Sequence, residues 1–380
     1  MNFYSKNFKL GMLGGGQLGK MFIQEAVNYN VQVCVLDPDS NAPCSLIAHE
    51  FQLGDFKDYQ TVVDFGRDKN VLTIEIEHVN TDALKQLEIE GVKVFPQPHI
   101  LELIKDKGLQ KEFYRENNIP TAPFVLANSR AELHEHLQNF PFMQKARTGG
   151  YDGKGVYALK SESDIEMAFD APSVLEEFVD FDKELSVIVA RNESGEVATY
   201  PLVELEFNPI ANLVEYLKCP AEVSTEIEEK AQALAMKVAE KLEIVGLLAV
   251  EFFLTKSGDL LVNEVAPRTH NSGHQTIEGN VTSQFEQHLR AVLNLPLGDT
   301  SIIQPSVMLN ILGEPNHSGE AIYENLEKVI AMSKVHVHLY GKHLTKPYRK
   351  MGHVTITDAD INKAYDKAKE VNVLLKVLSS

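Results

Sequence analysis

The chain has 380 residues, 44% hydrophobic and 24% charged, enough for about two to four compact units with a real buried core. Its 36 Lys and Arg stand against 54 Asp and Glu, a formal charge of −18; that sign argues against duplex DNA or an anionic membrane as the main partner, while local cations could still meet a small anionic substrate. No apolar run approaches the ~18–20 residues of a membrane span, no signal-peptide core is present, and Cys34, Cys44 and Cys219 show no metal-ligand spacing, which together suit a soluble protein of a reducing cytoplasm.

The first hundred residues alternate strand and helix patterns. Residues 9–13, 31–36, 71–76 and 92–95 read as strands, and 18–29, 59–69 and 81–90 as helices. Near-continuous apolar strands in that rhythm predict a parallel, doubly wound sheet covered on both faces. A charged helical stretch at 105–117 closes on Asn118-Ile119-Pro120, the first domain junction. Beyond it strands cluster with strands at 124–126, 142–145, 155–159, 174–178, 185–189, 197–203 and 213–218, with helices at 130–138 and 161–169. A long amphipathic helix over 225–242 precedes strands 247–254 and 260–265, so this part is an antiparallel α+β unit. A last unit from 306 carries strands at 307–312, 335–339 and 353–357 and a closing helix at 360–375. The expected division is 1–105, 106–305 with a mobile subdomain at about 120–180, and 306–380.

Gly14-Gly15-Gly16-Gln17-Leu18-Gly19 is a G-x-G-x-x-G turn between strand and helix, and Asp37 ends the next strand where a dinucleotide fold holds a ribose hydroxyl. Taken alone it suggests a nicotinamide cofactor, but the same turn suits any phosphate or a purely structural role. Lys145-Ala146-Arg147-Thr148-Gly149-Gly150-Tyr151-Asp152-Gly153-Lys154-Gly155 joins two strands. Its glycines and cations suit a flap over polyphosphate, against the plainer reading of a loose hairpin.

Glu251 and Glu264 each interrupt an apolar strand. With Ser257-Gly258 as a two-residue turn, Lys256 pairs with Asp259 and Glu251 falls opposite Glu264 on one face. Two carboxylates so placed repel, and Mg2+ shared with substrate phosphates relieves them; a solvated sheet face is the other reading. Arg268, His270, Asn271, Ser272 and His274 follow at once, a dense donor loop able to bind a carboxylate or bicarbonate. Lys346-Pro347-Tyr348-Arg349-Lys350-Met351-Gly352-His353 is a basic knot in an acidic chain, either a phosphate grip or a solvated charge run.

Together these motifs resemble the ATP-grasp ligases, and within them the N5-carboxyaminoimidazole ribonucleotide synthetase family. The resemblance runs in matching order from Gly14 through 145–155 and Asn263-Glu264-Val265-Ala266-Pro267-Arg268-Thr269-His270-Asn271-Ser272-Gly273-His274 to His353. It implies a Rossmann-like N-terminal domain, a central ATP-grasp region and a small C-terminal domain. The implied activity is carboxylation of 5-aminoimidazole ribonucleotide with ATP and bicarbonate, through carboxyphosphate, in purine synthesis. The implied cofactors are ATP and Mg2+, with Mn2+ able to substitute, and the implied assembly is a homodimer.

By the same resemblance Lys107 and Lys145 bind ATP, and Gly150, Tyr151, Asp152, Gly153, Lys154, Gly155 and Val156 cover its phosphates. Glu176, Glu177, Phe178 and Val179 form the adenine hinge and Glu184 holds the ribose, with Phe207 and Asn263 at the nucleotide. Glu251 and Glu264 hold the metal, while Tyr151, Lys154, Arg268, His270, Asn271, Ser272 and Lys350 line the pocket for bicarbonate and the imidazole. Glu75 or Glu77 lies near that pocket, and the Gly14–Gly19 turn serves the ribonucleotide or the fold. The chain departs from the family at Phe207, where many relatives have His, and at Val156, where Gln is common.

Three competing functions remain at this point: a nicotinamide oxidoreductase, an inactive nucleotide-binding regulator, and a formate-using relative.

Overall fold

A computed structural model describes residues 2–139, 141–149 and 155–380. The apolar strands Leu10–Leu13, Val33–Asp37 and Val71–Ile74 are buried along their whole length, as strands covered on both faces must be. They are the middle of a five-stranded parallel sheet in the spatial order Glu50–Leu53, Val33–Asp37, Leu10–Leu13, Val71–Ile74, Lys93–Val94. Strand order reverses between Leu10–Leu13 and Val71–Ile74, so the crevice beyond their carboxyl ends, where Gly14 and Glu75 emerge, is the place such sheets bind ligands. The Glu50–Leu53 strand escapes a reading of the sequence because it is an edge strand of four residues, exposed at both ends, too short for its alternation to stand out.

The helical stretch expected at 105–117 is the helix Lys107–Glu116, and a second helix that the sequence did not suggest, Pro98–Lys105, precedes it. Asp106 divides them by adopting extended backbone and accepting hydrogen bonds from the amides of Gly108 and Leu109, a cap of about 1 kcal/mol. The segment beyond folds as a four-stranded antiparallel sheet, ordered Phe124–Ala127, Ser173–Glu177, Phe142–Ala146, Val156–Leu159. Its expected helices are 3₁₀ helices, Arg130–Asn139 and Glu162–Met167; apolar spacing over so few residues does not separate three residues per turn from 3.6.

The largest sheet has nine strands. Its main path runs Leu260–Ala266, Gly246–Thr255, Phe181–Arg191, Val203–Phe207, Val214–Cys219, Ser306–Leu312, Lys350–Thr357, Val335–Leu339, with Val197–Thr199 beside Phe181–Arg191. Because Ser306–Leu312 pairs with Val214–Cys219, three strands of the C-terminal region extend the central sheet, while Leu344–Thr345, Gly319–Glu324 and Lys376–Ser379 form a small sheet of their own. On one face the helix Thr225–Leu242 buries Ala231, Ala235, Val238, Ala239 and Leu242 against Leu185, Val187, Val250, Phe252 and Val262. Each fully buried Val, Leu or Phe there contributes roughly 1.5–3 kcal/mol. The other face of the same strands carries Glu184, Ser186 and Glu251, aligned by the pairs Glu184↔Phe253 and Ser186↔Glu251.

The N-terminal sheet is fixed to this body through the helices Gln17–Asn28 and Gln284–Val292. They share a core containing Leu18, Phe22, Phe285 and Leu289, and Tyr29 Oη lies 2.5 Å from Glu286 Oε1. The crevice of the parallel sheet is thereby held facing the polar side of the large one. Among the described residues no helix is long and apolar enough to cross a membrane.

Candidate active site

The hairpin carrying the two glutamates corrects the expected register. Its turn has three residues, Lys256, Ser257 and Gly258, with the amide of Thr255 donating to the carbonyl of Asp259 and Gly258 at φ +89°, where a side chain is strained. Near the turn Leu254 pairs with Leu260 and Phe252 with Val262, one position away from the two-residue-turn register. A bulge then places Glu251 opposite both Asn263 and Glu264, and Val250↔Val265 resumes the expected pairing. The two departures cancel. The bulge also lets successive side chains reach cations of the same site: Asn263 Oδ1 accepts from Lys145 Nζ at 3.1 Å, and Glu264 Oε2 pairs with Lys107 Nζ at 2.6 Å.

Three carboxylates crowd this face. Burial, then Glu264 and Glu184, push Glu251 up to about 8, and burial pushes Glu184 up to about 7. Glu264 goes the other way because Lys107 lies against it. A cation between Glu251 and Glu264 would relieve this repulsion, so the donors present fit a hard divalent ion. Among the described residues no cluster of three or more His, Cys, Asp or Glu could hold a metal alone.

Behind them lies an ion cluster that the sequence hid. Glu176 is 4% exposed and bridges Lys145 Nζ at 2.8 Å and Lys111 Nζ at 3.1 Å. Burial opposes its charge, yet Lys145 and then Lys111 hold it below the usual carboxylate range. Lys111 is 2% exposed, and burial pulls it down to about 8 in spite of Glu176. In the sequence Lys111 is one more charge on a polar helix; only the fold turns it inward. Glu177 and Phe178, exposed, and the half-buried Val179 connect this strand to Phe181–Arg191, where Phe181 stacks on Phe253 with centroids 4.8 Å apart. Phe207 packs against the buried Val203 and Leu205 cluster, and Val156 is 37% exposed at the start of its strand. Gly150, Tyr151, Asp152, Gly153 and Lys154 lie outside the described residues.

The donor loop follows the bulged strand directly. His270 caps the one-turn helix Asn271–Gly273, its Nδ1 accepting from the Ser272 amide, and its Nε2 lies 3.8 Å from Glu251 Oε1. Burial, with Arg268 and Lys350 nearby, lowers this imidazole to about 3. Asn271 exchanges two amide hydrogen bonds of 2.9 Å with the buried Asn310, and Gln284 holds the amide and carbonyl of His270. Asn310 belongs to a strand that reads as plain core, so sequence reasoning missed it.

The structure separates Glu75 from Glu77. Glu77 Oε1 forms an ion pair with Arg268 Nε at 2.7 Å. Glu75 Oε1 accepts from the Leu18 amide at the start of the helix Gln17–Asn28, and burial pushes it up to about 7. A Cβ on Gly16 would stand 2.4 Å from that oxygen, so the carboxylate keeps this position only while residue 16 is glycine. Asp37 accepts from the Gly15 amide at 2.6 Å and the Asp39 amide at 2.8 Å. Asp37 is thereby tied to backbone amides of this region, where a dinucleotide fold would leave the corresponding carboxylate for the cofactor's ribose. Lys20 Nζ reaches the carbonyl of Leu339, and Lys342 Nζ that of Lys350, which brings the basic C-terminal segment to the same crevice.

Three families tile the chain: the ribonucleotide synthetase preATP-grasp domain at 8–105, the ATP-grasp domain at 112–285 and the phosphoribosylaminoimidazole carboxylase C-terminal domain at 306–367. Fold and site together define an ATP-grasp protein. The chain is 38% identical over 354 residues to the N5-carboxyaminoimidazole ribonucleotide synthase of Bacillus subtilis, covering 91% of this chain and 90% of that protein. It matches the crystal structure of the N5-carboxyaminoimidazole ribonucleotide synthetase from Thermotoga maritima with TM-score 0.90 and 44% identity, over 98% of this chain and 100% of that one. The chain belongs to the N5-carboxyaminoimidazole ribonucleotide synthase family. A further similar structure, from Aspergillus clavatus, holds ADP and 5-aminoimidazole ribonucleotide (TM-score 0.88, 36% identity, 97% of this chain and 98% of that one). The chain spans only 64% of the phosphoribosylaminoimidazole carboxylase of Vigna aconitifolia, to which it is 40% identical over 93% of its own length.

Proposed function

We propose that the protein carboxylates 5-aminoimidazole ribonucleotide, using ATP and bicarbonate, to give the N5-carboxylated ribonucleotide, ADP and phosphate. The observation that carries this reading is the meeting of two half-sites. The Glu251–Glu264 acid pair with its lysines, suited to a nucleotide's phosphates, lies 3.8 Å from His270 of the Arg268–Ser272 donor loop, and that loop reaches the parallel-sheet crevice through Arg268 and Glu77. The relative from Aspergillus clavatus that holds ADP and the ribonucleotide supports the same pairing of ligands.

Glu251 and Glu264 would hold Mg2+, or Mn2+ in its place, which when bound supplies positive charge to the phosphate oxygens. Lys107 and Lys145 add cations where charge develops during phosphoryl transfer. The segment Glu176 to Val179 meets adenine and Glu184 the ribose, with Phe207 and Asn263 beside them. Carried over from the resemblance, Gly150, Asp152, Gly153, Gly155 and Val156 serve the phosphates, and Tyr151 and Lys154 the second pocket. There Arg268, His270 and Lys350 orient bicarbonate, whose oxygen attacks the terminal phosphorus as the bond to ADP breaks. The carboxyphosphate formed divides into phosphate and CO₂, and the exocyclic amine takes up the CO₂ with loss of a proton. Water must be kept out until then. The ribonucleotide's own phosphate is met at the Gly14–Gly16 turn by the helix N-terminus, Lys20 and Lys342.

The three cysteines are free and buried, which suits a reducing cytoplasm, and the family resemblance implies a homodimer, measurable by sedimentation. The reading is tested by ADP release with each substrate withheld in turn. Release should require both bicarbonate and the ribonucleotide for full rate. Equal rates without either would remove the proposal.

A further inference from the structure

Ser186 sits on the central strand Phe181–Arg191, wholly buried and outside every ligand contact assigned above. Its register partner is Glu251, yet its hydroxyl lies 2.9 Å from Ser272 Oγ. Ser272 Oγ in turn lies 2.9 Å from His270 Nδ1. A hydroxyl has one proton to give, so the direction of this chain can be worked out. The Ser272 amide already points its N–H at His270 Nδ1, 3.3 Å away, which makes that nitrogen an acceptor. Ser272 therefore donates its hydroxyl proton to Nδ1 as well. Having given its proton, Ser272 Oγ can only accept from Ser186, whose hydroxyl must be the donor. The ring proton of His270 is left on Nε2, the nitrogen facing the site. Its nearest carboxylate oxygen, Glu251 Oε1, is 3.8 Å off, longer than a hydrogen bond.

We infer that Ser186 and Ser272 are positioning residues that form a one-way hydroxyl relay, fixing His270 as an Nε2–H donor aimed at the oxygen of the bicarbonate or carboxyphosphate. This rests on the proposed function for the identity of the acceptor, but not for the direction of the relay. It also moves Ser272 from contact with substrate to support of His270. The geometry suits that role: the relay starts on a strand of the rigid central sheet, and supporting shells of this kind hold a catalytic group in one orientation. Asn310 and Gln284 fasten the loop backbone around it, so the relay has only the ring left to orient.

The test has two independent readouts. Nitrogen-15 spectra of the histidine-labelled protein, with the His270 signals identified by their loss in His270→Gln, report the tautomer directly. The expected result is a bare Nδ1 and a protonated Nε2 at neutral pH; a protonated Nδ1 would overturn the relay whatever any variant does. In Ser186→Ala the rate of ribonucleotide-dependent ADP release at saturating ATP should fall by about ten-fold, the lower end of what loss of a supporting partner costs. The KM for ATP should stay unchanged, and Ser186→Thr, which keeps the hydroxyl, should recover most of the rate. Wild-type turnover in Ser186→Ala, or an equal loss in kcat and in ATP affinity, would refute the assignment. Failure of the proposed function itself would show separately, as wild-type protein with the expected tautomer but no substrate-dependent ADP release.

Discussion

Glu176→Gln removes the charge that lies between two inward-facing lysines while keeping the side chain's shape. Lys111 and Lys145 then lose a carboxylate at 3.1 and 2.8 Å, and removing one partner from a buried ion cluster costs about 3–5 kcal/mol. The pH dependence is more specific. Unfolded Lys111 keeps its proton up to 10.5, whereas in the folded protein it lets go near 8; stability therefore rises with pH across that window. Between pH 7 and pH 9 the wild type should gain roughly 1 kcal/mol from this group, and a variant that holds Lys111 neutral over that range roughly 3 kcal/mol. The destabilisation should thus shrink by roughly 1–2 kcal/mol over that range. Urea unfolding of both proteins at the two pH values measures it. A loss under about 1 kcal/mol at pH 7, or one that stays constant with pH, would refute the buried-cluster reasoning.

Two further outcomes follow from the geometry. Gly16→Ala would drive a Cβ to 2.4 Å from Glu75 Oε1, displacing that carboxylate from the Leu18 amide; unfolding should show a loss of about 1–3 kcal/mol, and an unchanged midpoint would contradict the close approach. Glu251 and Glu184 are raised from 4.5 to about 8 and about 7, so the stability they carry is complete below 4.5 and is lost as pH climbs through 7 and 8. Ligands that require both as carboxylates must therefore displace protons near pH 7. Calorimetric enthalpies of binding ATP with Mg2+ should differ between buffers of different ionisation enthalpy, and equal values would contradict the raised pair.

Much of the site was legible because its chemistry conflicts with its surroundings. Glutamates at 251 and 264 inside apolar strands, and Arg268, His270 and Asn271 on one short loop, stand out against any structural expectation. The strand pattern likewise foretold a parallel N-terminal sheet. Register was harder: the three-residue turn at Gly258 and the bulge at Glu251 each shift the pairing by one, and only their cancellation preserved the meeting of the two glutamates. Supporting residues were invisible. Lys111 reads as a solvated helix charge, while Ser186 and Asn310 read as small residues in core strands, because partners 86 and 39 positions away are set by the fold alone. The division between Glu75 and Glu77 was equally closed to sequence, since it depends on which of them turns toward Leu18 and which toward Arg268.

The most direct measurement is the fate of oxygen in bicarbonate during turnover. With ¹⁸O-labelled bicarbonate, ATP and 5-aminoimidazole ribonucleotide, the account predicts one labelled oxygen in each phosphate released, carried across when the carboxyphosphate bond breaks. Unlabelled phosphate, formed at the same rate as ADP, would mean that bicarbonate never attacks the nucleotide and would contradict it.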